Sequence, residues 1–143
     1  MTLRAATADD LPEILALIHE LADYEHAADE VAATLDDLRL HLFGEHPAAH
    51  VLLADVDGEV AGFALWYPTF STWVGRPGIW LEDLFVRPQF RKQGLGLALL
   101  QELRRLTDDR VEWAVLDWNQ PSIDFYEALG ARPVEGWIRY RWQ

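Results

Sequence analysis

The stretch from Trp80 to Leu100, WLEDLFVRPQFRKQGLGLALL, constrains the fold more than any other part of the chain. Its apolar run from Trp80 to Val86 reads as a strand. A basic turn follows, Arg91-Lys92-Gln93-Gly94-Leu95-Gly96. Beyond it Leu95, Ala98, Leu99, Leu103 and Leu106 recur at helical spacing. The first N–H groups of a helix have no partner inside it and sit at the positive end of its dipole. Glycines at that point let an anion approach the backbone closely. The turn is therefore a candidate phosphate cradle, with Arg87, Arg91 and Lys92 adding positive charge.

That local charge runs against the rest of the chain, whose net charge is −12. So acidic a surface disfavours nucleic acid and anionic membranes as partners. It suits a small cationic substrate, although solubility alone also accounts for it. With no cysteine, the chain has neither disulfides nor a thiolate nucleophile, which fits a reducing, cytoplasmic setting. No apolar run approaches the ~20 residues of a membrane span, and the segment MTLRAATADD lacks the regions of a signal peptide. The 143 residues suit one domain, 1–143. A P-loop needs Gly, four residues, then Gly-Lys-Ser/Thr, and none occurs; the glycine spacing also fails the dinucleotide pattern. The five histidines show no ligand spacing, so no metal site is expected.

Leu3 to Ala5 reads as a first strand. Thr7-Ala8-Asp9-Asp10 and Thr34-Leu35-Asp36-Asp37 both resemble capping boxes with Asp in place of Glu. The first helix carries the stripe Leu11, Ile14, Leu15, Ile18, Leu21 and Ala22; the second runs to about Phe43, where Gly44 and Pro47 stop it. Strands are expected over His50–Asp55 and Glu59–Tyr67, joined at Asp57-Gly58, with Gly62 a possible bulge site. Pro68 to Pro77 reads as a loop, Val111–Asp117 as a strand, Ser122–Leu129 as a helix closed by Gly130, and Trp137–Trp142 as a last, alternating strand. The order βααβββαβαβ describes an α/β layered domain with a mixed sheet.

The cradle, preceded by Leu84-Phe85-Val86, resembles the cofactor motif of the GNAT superfamily of acetyl-CoA-dependent N-acetyltransferases. Asn119, Pro121-Ser122, Phe125-Tyr126-Glu127 and Leu129-Gly130-Ala131 are similar to that family's last strand–helix unit. Glu20 to Glu25, Phe43 to Pro47, Trp73-Val74-Gly75, Leu81-Glu82-Asp83 and Glu135-Gly136-Trp137 resemble its diamine (spermidine/spermine) acetyltransferase-like branch. Ser71 stands where that branch has an acid, and the segment from Trp73 to Glu82 is one residue longer.

The resemblance implies a GNAT fold: a mixed, mostly antiparallel sheet of six to seven strands flanked by about four helices. It implies that backbone N–H groups of Lys92, Gln93, Gly94, Leu95 and Gly96, with Arg91, hold the pyrophosphate of acetyl-CoA. Leu84, Phe85 and Val86 pair with the pantetheine arm as an added strand would, a backbone N–H near Phe85 or Val86 polarises the acetyl carbonyl, and Asn119, Ser122 and Tyr126 complete the cofactor site. Tyr126 takes the family position of the acid that protonates the leaving sulfur, and Glu82 that of the base. Asp83 would point to the other face of a regular strand, or outward at a bulge. Tyr24, Glu25, Trp73, Glu82, Asp83, Glu135 and Trp137 match positions that hold a small cationic amine, such as a polyamine or thialysine. The resemblance further implies direct transfer in a ternary complex, and a homodimer. An acetyltransferase of peptide or protein amines and a non-catalytic acyl-CoA sensor stand as alternatives.

Overall fold

A computed structural model describes residues 1–143. In chain order its elements are β1 (Thr2–Ala5), α1 (Leu11–Tyr24), α2 (Leu35–Phe43), β2 (His50–Val56), β3 (Glu59–Ser71), β4 (Arg76–Val86), α3 (Leu95–Arg105), β5 (Val111–Trp113) and α4 (Gln120–Ala128). Single 3₁₀ turns cover Ala8–Asp10, Ala28–Glu30 and Pro88–Phe90.

Local chemistry accounts for the helix starts. The Asp10 carboxylate accepts a hydrogen bond from the Thr7 N–H at 2.7 Å. Thr34 and Asp37 close a reciprocal pair: Asp37 N–H donates to Thr34 Oγ1 at 3.2 Å, and Thr34 N–H donates to the Asp37 carboxylate at 2.9 Å. Such caps satisfy donors that a helix leaves free in its first turn.

The sheet has five strands in the order β1-β2-β3-β4-β5, antiparallel except for the parallel β4–β5 pair. One face packs Phe63, Leu65 and Phe85 against Leu11, Ile14 and Leu17 of α1 and Leu38 and Leu42 of α2. The other packs Ala64, Ile79 and Leu81 against Leu95, Leu99 and Leu103 of α3, with Phe125 and Tyr126 of α4 at its margin. The strand periodicity of two supplies both faces, so α1–α2 and α3–α4 form the outer layers.

Two strand irregularities matter for the site. Between β2 and β3 the register shifts so that Ala61 is an extra residue beside Gly62. A Cβ on Gly62 would stand 2.6 Å from the Phe85 carbonyl oxygen, so glycine is what lets β3 and β4 close up there. Between β3 and β4, Leu65 pairs with Asp83 but Trp66 with Leu81, leaving Glu82 as an extra residue on β4. A bulge of this kind bends its strand and increases the local twist.

Four expectations are corrected. The sheet has five strands, not six to seven. Trp137–Trp142 forms no strand; Trp137 is 74% exposed and Trp142 99%. Alternation assigns the two faces of a strand but not a partner, and no sheet edge of this chain pairs with that segment. Beyond Trp113 the expected strand to Asp117 is absent, because β5 follows β4 only over Ile79–Leu81 and β4 bends away at Glu82. Pro68–Pro77 is mostly strand: β3 and β4 continue as a two-stranded ribbon closed by Thr72 to Gly75. Pro68 lies past the last β2 pair and Pro77 before the first β5 pair, on free edges where a missing N–H is tolerated.

Candidate active site

The cradle is built from backbone. Lys92 (φ 64°) and Gly94 (φ 79°) are both left-handed, and Gly94 is the N-cap of α3 with no side chain capping the helix. Successive turns of this kind aim N–H groups into one concavity, here at a helix N-terminus. Gly96 lines the cleft, and a Cβ there would meet only Phe125 Cζ, at 3.8 Å. Nothing in the protein requires that position to be bare, so its bareness leaves room for something else. Arg91 Nε donates to the Val86 carbonyl at 2.9 Å, and its guanidinium carbon lies 5.4 Å from the Tyr24 ring centroid and 5.5 Å from that of Phe85. Arg87 is not part of the cradle. Its guanidinium is held by Glu13 and Glu20 of α1, each at 2.9 Å, and by the Val60 carbonyl, also at 2.9 Å.

The bulge at Glu82 and the early end of β5 leave the outer edge of β4 without a neighbouring strand from Glu82 to Val86. A cleft of about 520 Å³ opens along this edge. Its walls carry Leu84, Phe85 and Val86 from β4, Arg91, Lys92, Gly94, Leu95 and Gly96 from the cradle, and Asn119, Ser122 and Tyr126 from the far side. An open strand edge, an uncapped helix N-terminus and two cations along one cleft fit the amides and pyrophosphate of acetyl-CoA.

Acidic groups gather at one end of the cleft. Glu25 follows α1, and Glu82 and Asp83 sit at the bulge. The bulge makes Glu82 the exposed extra residue, whereas Asp83, paired with Leu65, is turned to the face that α1 covers. Burial, then the neighbouring charges of Glu82 and Glu25, push the Asp83 carboxyl up from 3.8 to about 6. Burial also raises Glu25. Tyr126 packs its ring 5.0 Å from Trp113 and 5.5 Å from Phe125. Burial, reinforced by Glu25 and Tyr24, raises its hydroxyl above the ordinary tyrosine value, so it stays protonated at neutral pH. Tyr24 donates its hydroxyl to Asn119 Oδ1 at 3.1 Å, joining the end of α1 to the start of α4.

Besides Arg87, four residues that the resemblance placed in the site lie outside this cleft: Gln93, Trp73, Glu135 and Trp137. Trp73 and Trp137 instead lie with ring centroids 6.5 Å apart, in a second groove of about 1070 Å³. That groove meets the cleft at Tyr126 and Val115, which line both. Trp80, Glu112 and Trp113 line it too and were not singled out by sequence, and Glu127 was read only as part of the last strand–helix motif. The one signal for them was the tryptophan content of the strands. No three His, Asp or Glu side chains converge as a metal-ligand set, and no helix is long and apolar enough to cross a membrane.

Residues 11–131 match the acetyltransferase (GNAT) family model. A thialysine N-epsilon-acetyltransferase from Sus scrofa is 38% identical over 99% of this chain and 91% of its own. A spermidine/spermine N(1)-acetyltransferase-like protein from Homo sapiens is 34% identical over 97% of this chain but only 22% of its own. Among solved structures, an integron cassette protein from V. cholerae superposes with a TM-score of 0.81 at 25% identity, over 99% of this chain and 91% of its own. With a family match across most of its length and relatives near two-fifths identity, the chain belongs to the GNAT family as an N-acetyltransferase, in the branch of the thialysine and spermidine/spermine-type enzymes.

Proposed function

We propose that residues 1–143 act as one catalytic domain that moves the acetyl group of acetyl-CoA to a primary amine of a small cationic acceptor, by direct transfer in a ternary complex. The observation that carries this reading is a single cleft in which the open edge of β4, the uncapped start of α3, Tyr126 and the Glu82–Asp83 pair converge.

Acetyl-CoA supplies an activated thioester; the residues of the chain hold it and move protons. The N–H groups of Lys92 to Gly96, with Arg91 and Lys92, take the pyrophosphate. Leu84 to Val86 present backbone donors and acceptors to the pantetheine arm. A donor on that edge polarises the acetyl carbonyl, where charge develops during attack.

The acceptor must lose a proton before its nitrogen can attack. An alkyl amine of pKa ~10.4 is uncharged in about one molecule in 2,500 at pH 7, a deficit of about 4–5 kcal/mol. The Glu82–Asp83 pair takes that proton, directly or through water. Its half-buried member Asp83, at about 6, is mostly ionised at pH 7 yet more basic than an exposed carboxylate. Glu25 and Glu82 attract the ammonium form and concentrate it at the site. Tyr126 donates its proton to the sulfur as the C–S bond breaks, so the thiol leaves neutral.

Trp73 and Trp137 line the adjoining groove, where indole faces suit the remainder of a cationic acceptor. Exposed Trp137, Ile138, Tyr140 and Trp142 form an apolar tail that a second copy can cover, which supports a homodimer in which residues of both chains line the acceptor site. A cytoplasmic enzyme is consistent with a chain lacking cysteine.

The test is free-thiol release from acetyl-CoA in the presence of thialysine, lysine, ornithine, putrescine, spermidine, tyramine and a basic peptide. Release with a small amine supports the reading. Release with the peptide alone redirects it to polypeptide amines, and binding of acetyl-CoA without release to any acceptor points to an acyl-CoA sensor.

A further inference from the structure

We infer that Tyr24 is a positioning residue for the acyl donor rather than part of the acceptor site: its hydroxyl fixes the Asn119 amide so that the two N–H donors of Nδ2 face the cofactor cleft. The inference rests on the acetyl-CoA reading of that cleft.

Asn119 is the one buried polar side chain of the core, at 5% exposure. It is the N-cap of α4, where asparagine ordinarily accepts a hydrogen bond from the helix's own first turn. That bond is absent. The side-chain oxygen is committed instead to Tyr24, 95 residues away in sequence, at 3.1 Å. A primary amide offers two donors as well as its acceptor. No hydrogen bond within the protein uses Nδ2, yet that atom is not among the sealed, unpartnered ones, which are Asp55 Oδ1 and Asp109 Oδ2. Asn119 lines the cleft. Its donors therefore open toward the space facing the free edge of β4. A carbonyl of a bound pantetheine arm replaces the water that otherwise reaches these donors.

Tyr24 itself is engaged on two sides. The Arg91 guanidinium lies over its ring, and Asn119 takes its hydroxyl. Neither contact leaves the residue arranged to receive an ammonium group. Together they tie the phosphate-facing arginine, the end of α1 and the start of α4 across the cleft.

Isothermal titration of acetyl-CoA into the protein, with no acceptor present, reads the inference apart from turnover. Tyr24→Phe keeps the ring over Arg91 and removes only the hydroxyl; the expected result is a donor Kd about 2–13-fold weaker, the range that one hydrogen bond of about 0.5–1.5 kcal/mol allows. In steady-state assays the acceptor KM stays within twofold. Asn119→Asp keeps an acceptor for Tyr24 but loses both donors, so it should weaken donor binding at least as much as Asn119→Ala. Adding Tyr24→Phe to Asn119→Ala should cost nothing more, because the hydroxyl then has no amide to orient. An unchanged donor Kd in Tyr24→Phe, a raised acceptor KM in its place, or a full additive loss in the double variant overturns the inference. Failure of the unaltered protein to bind acetyl-CoA overturns the acetyltransferase reading, and this inference with it.

Discussion

Replacing Asp83 by Asn should make the protein more stable and less active, and the stability gain should depend on pH in a defined direction. The folded structure holds the Asp83 carboxyl near 6, against 3.8 for the ordinary group, chiefly through burial and then through Glu82 and Glu25. An acid whose folded pKa is raised adds stability below its unfolded pKa, where both states are protonated. That stability is lost as pH rises through the folded value, because the folded state must then hold a charge it disfavours. The shift is about two pH units, or about 3 kcal/mol at about 1.36 kcal/mol per unit. Above pH 7.5 the full cost is present in the native protein; at pH 5 roughly half remains. Asn carries no charge and occupies the same volume.

Thermal unfolding of the two proteins at pH 8 and pH 5 tests the sign. At pH 8 Asp83→Asn should melt several degrees higher, since a kcal/mol moves Tm by about 2–8 °C in proteins of roughly this size class. The gain should shrink toward pH 5. The same substitution should lower kcat/KM at pH 7 by about 10²–10⁴-fold, the usual range for a general base. It should also abolish the rise in rate centred near pH 6, leaving activity to climb only as free amine accumulates. A variant that melts lower at pH 8, or whose Tm advantage is the same at both pH values, would refute the claim that the buried charge is a cost the active site imposes. Retention of the limb near pH 6 in Asp83→Asn, with its loss in Glu82→Gln, would assign the proton to Glu82.

Tyr126→Phe should reduce kcat by about 10²-fold or more while acetyl-CoA affinity by calorimetry stays within twofold, because in the proposed mechanism the hydroxyl serves the leaving sulfur and not the bound donor; an unchanged kcat removes the tyrosine as the acid. Arg87→Ala should destabilise the fold by about 1–3 kcal/mol in urea unfolding, discounted for half-exposed partners, since it strands Glu13, Glu20 and the Val60 carbonyl. Its donor Kd should not change, and a weakened Kd would return Arg87 to the cradle. Gly94→Ala should cost about 1–2 kcal/mol of stability at its φ of 79° and should weaken acetyl-CoA binding by tilting the first turn of α3. Calorimetry showing full affinity in a folded Gly94→Ala protein would deny that this turn holds the phosphates.

What the sequence disclosed was local. Helical spacing, two threonine–aspartate caps and a glycine-bearing basic turn each act within a few residues, and the structure has the elements they specify. What it concealed depends on distant partners. Arg87 reads as a free cation beside the cradle until α1 folds over and supplies Glu13 and Glu20 from about seventy residues away. The Trp137–Trp142 alternation is a strand pattern without an edge to join. The bulge at Glu82 is the most consequential case. Leu81-Glu82-Asp83 has no glycine or proline to mark an irregularity, and strict alternation would have kept Asp83 on the same face as Leu81. One unpaired residue reverses that, turning Asp83 toward α1 and Glu25, exposing Glu82 and bending β4 away from β5. The same displacement frees the strand edge from Glu82 to Val86, so the register error that hid the acid is also what opens the cleft beside it.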